Sequence, residues 1–84
     1  MIQLIPHMRI FLCRENVDFR KGIDGFVGVC KTKLTQDPFS GVVFCFINKG
    51  KTSIKLLVYD GQGFWLMQKR LSEGRFHNWN KQGW

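Results

Sequence analysis

The chain has 84 residues, 44% hydrophobic and 14% aromatic, and its 13 Lys and Arg against 6 Asp and Glu give a formal net charge of +7. The size predicts one domain with a single core, and the composition excludes an intrinsically disordered chain. A small basic domain attracts polyanions, nucleic acid first among them, although the same charge also keeps a sticky apolar chain in solution.

The opening MIQLIPHMRIF has no basic region ahead of a long apolar run, so it does not read as a signal peptide. No stretch approaches the roughly 20 apolar residues of a spanning helix. The expectation is a cytoplasmic protein without membrane contact. MRIFLC (8–13) is rich in large apolar residues and predicts a first strand. Asn16 and Asp18 then offer N-cap oxygens, and Ile23, Phe26, Val27, Cys30 and Leu34 recur at spacings of three and four. That spacing predicts a helix over 19–34. Gly22, Gly25 and Gly28 weaken it, each by up to about 1 kcal/mol relative to Ala, so packing on a sheet must hold it. QDPFSG, with Pro38 and Gly41, marks the turn that ends it.

From Val42 the period changes to two. VVFCFI (42–47), TSIKLLVY (52–59) and FWLMQKRL (64–71) predict three strands, joined by NKGK and DGQG. Gly61 and Gly63 are expected to supply the positive φ of a tight connection. The Gly-x-Gly of the second turn is no dinucleotide fingerprint, because Leu66 stands where a third glycine would open a helix. The expected fold is α+β: a short first strand, one helix, then a three-stranded antiparallel meander packed on the helix. Residues 1–84 form a single domain, with a core over about 8–76 and a C-terminal tail over 77–84.

Pairing across the turns sets Tyr59 against Phe64, Leu57 against Leu66 and Lys55 against Gln68, with Phe46 against Ser53 and Phe44 against Lys55. One face then carries Val43, Cys45, Ile54, Leu56, Val58, Trp65 and Met67, is almost purely apolar, and is expected to lie under the helix. The other combines Phe44, Phe46, Leu57, Tyr59, Phe64 and Leu66 with Lys55, Gln68 and Arg70. Left in water, that patch exceeds what a soluble monomer exposes. It predicts either a base-stacking surface or burial against a second copy or a partner, and its central leucines favour burial, so these six apolar residues form the expected interface of a homodimer. The candidate nucleic-acid residues are Lys49, Lys51, Lys69, Arg70 and Arg75, with Arg20 and Lys21. They form an expected basic edge for weak, sequence-tolerant contact with DNA phosphates.

Nothing in the pattern points to catalysis, a cofactor or a metal. Cys13, Cys30 and Cys45 are an odd set without Cys-x-x-Cys, and His7 and His77 stand far from any of them. Free, buried thiols are expected. Asp18 reads as a cap, Asp37 and Asp60 as turn residues, and no carboxylates must converge.

Three segments, VDFRKGIDGF, DPFSGVVFCF and IKLLVYDGQGFWLMQKRLSEGRF, resemble in that order the Orf2-like accessory protein (TnpB) of the insertion-sequence-66 transposon family. The match falls on Asp18, Arg20, Lys21 and Gly22; on Asp37, Pro38, Phe39 and Gly41; and on Lys55, Asp60, Gly61, Gly63, Lys69, Arg70, Gly74, Arg75 and Phe76. The resemblance implies a bacterial mobile-element protein with a non-catalytic role, working beside a transposase subunit. Members continue past Gly-Arg-Phe with Trp-Pro and a further segment, whereas here HNWNKQGW follows and no Pro succeeds Trp79. The alternative expectation is a homodimeric interaction module of a mobile element that makes no DNA contact.

Overall fold

A computed structural model describes residues 8–77. Its elements run β1 (Ile10–Leu12), α1 (Ile23–Thr32), β2 (Val43–Ile47), β3 (Ser53–Tyr59) and β4 (Phe64–Arg70), in the expected α+β order. They form one sheet in the order β1-β2-β3-β4. β1 pairs parallel to β2, so α1 is a crossover connection, while β2, β3 and β4 form the antiparallel meander.

The helix is shorter than the spacing predicts. Gly22 is its N-cap and no side chain caps it. Asp18 instead closes a turn four residues earlier, where its carboxylate accepts the N–H and the guanidinium of Arg20. Asp24 in the first turn and Lys31 in the last complement the helix dipole. The chain turns away at Thr35, whose φ of 50° is left-handed, and Gln36 N–H returns to the Cys30 carbonyl at 2.9 Å. The helix therefore ends before Pro38 is reached.

The β3–β4 register is the expected one, with Tyr59 on Phe64, Leu57 on Leu66 and Lys55 on Gln68. The β2–β3 register differs by two residues: Phe44 faces Leu57 and Phe46 faces Lys55. The cause is Asn48. Its carboxamide oxygen takes the N–H groups of Thr52 and Ser53, at 2.9 and 3.0 Å, and its NH₂ donates to the Thr52 hydroxyl. These bonds close a longer loop than a minimal turn would. Gly61 has the expected positive φ, 96°, but Gly63 does not, so one glycine suffices at the second turn.

The helix covers the face opposite to the expected one. Phe26, Val29 and Cys30 pack with Cys13 on Phe44, Phe46 and Leu57, and the Phe26 and Phe46 rings lie 4.6 Å apart. Lys55, on this same face, fastens the loop before the helix. Its ammonium donates to the Phe19 carbonyl at 2.8 Å and lies 4.9 Å from the Phe19 ring centre. The opposite face holds a second cluster, Val43, Cys45 and Val58, flanked by half-buried Met8, Leu12, Ile47, Ile54, Leu56 and Met67. Ile10 and Trp65 on that face are exposed at 52% and 36%.

The homodimer interface expected from sequence therefore needs correction. Phe44, Phe46 and Leu57 are at most 1% exposed and form the floor of the helix-covered core. Phe64 and Leu66 pack against that core, and Tyr59 and Phe64 stack with Phe39 in a trio with centroids 5.0 to 5.2 Å apart. Both faces of the strands are apolar, so the alternation pattern could not choose between them. A parallel β1–α1–β2 connection has a strongly preferred hand, which commits the helix to one face.

Candidate nucleic-acid interface

The β2–β3 turn and the end of β4 meet at one end of the sheet. Ser53 is paired with Arg70 and Ile54 with Lys69. Leu71 N–H then donates to the Thr52 carbonyl at 2.9 Å, and Phe76 N–H to the Lys51 carbonyl at 2.7 Å. The backbone thus gathers Lys49, Lys51, Lys69, Arg70 and Arg75 at this end, and all five are exposed. Because alternate strand residues face opposite ways, Arg70 belongs to the helix side and Lys69 to the other.

Lys51 has a φ of 60°, in the left-handed region that costs a non-glycine residue on the order of 1 kcal/mol. The Asn48 bonds and the Phe76 N–H bond surround it and hold that conformation. The loop after β1 adds Arg14 and Glu15, which line a recess with Asn48, Lys49 and Lys51. Arg14 has no signal of its own in the sequence, since only the parallel pairing of β1 with β2 brings it to the basic end.

Arg20 and Lys21 sit elsewhere. They are tied over the helix side of β3 through Lys55, which lies two residues along the strand from Ser53. The Arg20 guanidinium is engaged by Asp18 at 3.0 Å. That pairing lowers the Asp18 carboxyl to about 2. Arg20 is therefore half of an exposed ion pair, whereas Lys21 adds an exposed positive charge on that side.

At the opposite end of the sheet the β3–β4 turn is closed by a carboxylate. Asp60 accepts the N–H groups of Gln62 and Gly63 at 2.9 and 3.0 Å and the indole N–H of Trp65 at 2.7 Å. These bonds hold its carboxyl below the ordinary range. The donors that a phosphate-binding Gly-x-Gly loop would present are already taken by this carboxylate. Asp37 plays the same turn role beside Phe39, accepting its N–H at 2.9 Å.

The three thiols are buried, as expected, and none of them is in a disulfide. Burial pushes Cys30 and Cys45 up to about 11 and raises Cys13 as well, so all three stay protonated near neutrality. Among the described residues no three His, Cys, Asp or Glu side chains gather closely enough to hold a metal ion. His7 lies outside the described residues. No helix of the described residues is long and apolar enough to cross a membrane.

The family model described as IS66 Orf2 like protein matches residues 8–83. The chain belongs to this family. It is 35% identical over 69 residues to the uncharacterized protein y4jC of Sinorhizobium fredii, across 82% of this chain and 59% of that one. It is 30% identical over 70 residues to y4hO of the same organism, across 83% and 61%. The chain thus spans about three fifths of the length of these curated relatives. No solved structure matches it significantly.

Proposed function

We propose that the chain is a non-catalytic accessory protein of a bacterial transposable element, which holds DNA weakly and without sequence preference through the basic end of its sheet. The observation that carries this reading is the convergence of Lys49, Lys51, Lys69, Arg70 and Arg75 around two short backbone hydrogen bonds. Phosphate contacts of this kind position a protein on DNA without reading bases. The helix commits Phe26, Val29 and Cys30 to the core, and its first turn carries Asp24, which a phosphate backbone would repel. The buried thiols, held protonated near neutrality, are poor nucleophiles, which supports a role without catalysis.

A fluorescence titration with duplex and single-stranded DNA, at low and at physiological salt, tests the reading. Binding should fall steeply with salt. Replacing Lys49, Lys51, Lys69 and Arg70 by Ala should flatten the log–log salt slope by about 0.9 for each duplex phosphate that is no longer neutralised. No binding at low salt overturns it.

A second reading, a homodimeric interaction module, is favoured by the sheet face away from the helix. Ile10, Leu12, Ile47, Leu56, Trp65 and Met67 there are exposed or half-buried. Lys69 is the one charge among its strand positions, so two copies of a +7 chain can meet there with little repulsion. Light scattering after size exclusion should give a dimer at tens of micromolar, and Trp65→Lys should shift it to monomer. A wild-type monomer rejects this reading.

A further inference from the structure

The recess at the basic end is a more specific feature than the surrounding charge. It lies at the carboxyl ends of the two parallel strands, where the loop leaving β1 meets the turn leaving β2. This is the carboxyl end of the parallel pair, the end at which α/β folds seat ligands, although the strand order β1-β2-β3-β4 has no reversal to open a switch-point crevice. Its volume is about 80 Å³. Since about 10–15 Å³ of such space holds one water, it has room for about five to eight waters or for one phosphate group.

The lining sets the charge of the occupant. Arg14, Lys49 and Lys51 outnumber Glu15, and Asn16 and Asn48 complete the polar wall. A further cation stands close by, because the Lys33 ammonium donates to the Asn16 carbonyl at 3.2 Å. The wall is also stiff. Asn48 makes three side-chain bonds within its own turn, and Lys51 is held in a left-handed conformation that glycine would adopt at less cost. Strain of this kind persists where the surroundings over-determine it, and such positions cluster at ligand sites.

We propose that this recess seats one phosphate group, with Arg14, Lys49 and Lys51 as its cationic ligands and Glu15 as the group that limits its affinity. On the DNA reading above, on which this inference builds, the phosphate belongs to a nucleic-acid backbone and the recess is the one fixed point of an otherwise diffuse contact. A free oxyanion carries the same chemistry.

Amide NMR separates these cases. The wild-type protein is titrated with inorganic phosphate and, separately, with a short DNA duplex, each against chloride at matched ionic strength. Saturable shifts at Asn16, Asn48, Lys49 and Lys51 with both ligands are expected. Arg14→Gln with Lys51→Gln should weaken phosphate binding about 5–10-fold through loss of charge-assisted bonds, and Glu15→Gln should strengthen it. Retained amide dispersion shows that each variant is folded. Duplex binding that moves only the Lys69, Arg70 and Arg75 amides overturns the seat and leaves the DNA reading standing. Saturation by inorganic phosphate without duplex binding upholds the seat and overturns the DNA reading. Silence with both ligands overturns both.

Discussion

At the β2–β3 turn a carboxamide, that of Asn48, accepts the N–H groups of Thr52 and Ser53. At the β3–β4 turn a carboxylate, that of Asp60, accepts those of Gln62 and Gly63. Each turn also has a left-handed residue, Lys51 in the first and Gly61 in the second. The same backbone problem is solved twice, with opposite consequences for charge. The neutral Asn adds no anion to the lysines around it, whereas Asp60 brings its own anion to the donors it satisfies. The second turn is built from residues that relieve strain, and the first tolerates strain and keeps a cation. The two ends of one small sheet therefore differ in kind: at one a single carboxylate closes its own turn, and the other is a surface suited to an anionic partner.

The largest effect should come from removing the Asn48 carboxamide. Asn48→Ala strips the acceptor from the amides of Thr52 and Ser53, and Ser53 is only 4% exposed. The expected loss is about 2–3 kcal/mol, read from urea unfolding. A loss below about 0.5 kcal/mol would mean that water replaces Asn48 and that the turn is not fixed by it.

Next is Gly61→Val. With φ at 96°, a β-branched residue here should cost about 1–2 kcal/mol. Gly63→Val should be milder, since that residue has no positive φ. Equal losses at the two glycines would mean that the left-handed conformation of Gly61 does not set the geometry of the second turn.

Lys51→Gly should act in the opposite direction, raising stability by up to about 1 kcal/mol because glycine accepts the left-handed conformation. The same change should weaken binding to DNA at low salt. A variant that is both more stable and equally tight in DNA binding would remove Lys51 from the interface.

The smallest effect separates the turns by acid. The Asp60 carboxyl is held below its ordinary value of 3.8 by bonds from Gln62, Trp65 and Gly63. A depressed carboxyl contributes stability above the unfolded-state value, and that contribution is lost as pH falls through the lower folded-state value. In an acid titration the Gln62 and Gly63 amides should therefore move with a midpoint below 3.8. The Thr52 and Ser53 amides, bonded to an uncharged side chain, should show no such step. A common midpoint for both turns would mean that global unfolding, not Asp60, is being observed.

The sequence by itself determined the local features. Alternation from Val42 onward defined three strands, the Asp-Gly signal marked the second turn, and the spacing of Lys49 and Lys51 from Lys69 and Arg70 was enough to bring those residues to one end. Asp60 and Asp37 were legible as turn residues because short carboxylates bond their own backbone. The helix start was less legible, since Asp18 can close a turn or cap a helix and only the fold chose the turn. Three further matters needed tertiary structure. The β2–β3 register depended on side-chain bonds from Asn48 that no periodicity encodes. The addition of Arg14 to the basic end depended on the parallel pairing of β1 with β2, a long-range contact. The face under the helix could not be read at all, because Phe44, Phe46 and Leu57 on one side and Val43, Cys45 and Val58 on the other are both apolar. Burial energy scales with apolar area and carries no handedness, so two such faces are nearly equivalent in sequence. The choice is made by the chirality of the β1–α1–β2 connection and by Lys55 fastening the Phe19 loop, neither of which exists until the strands are assembled.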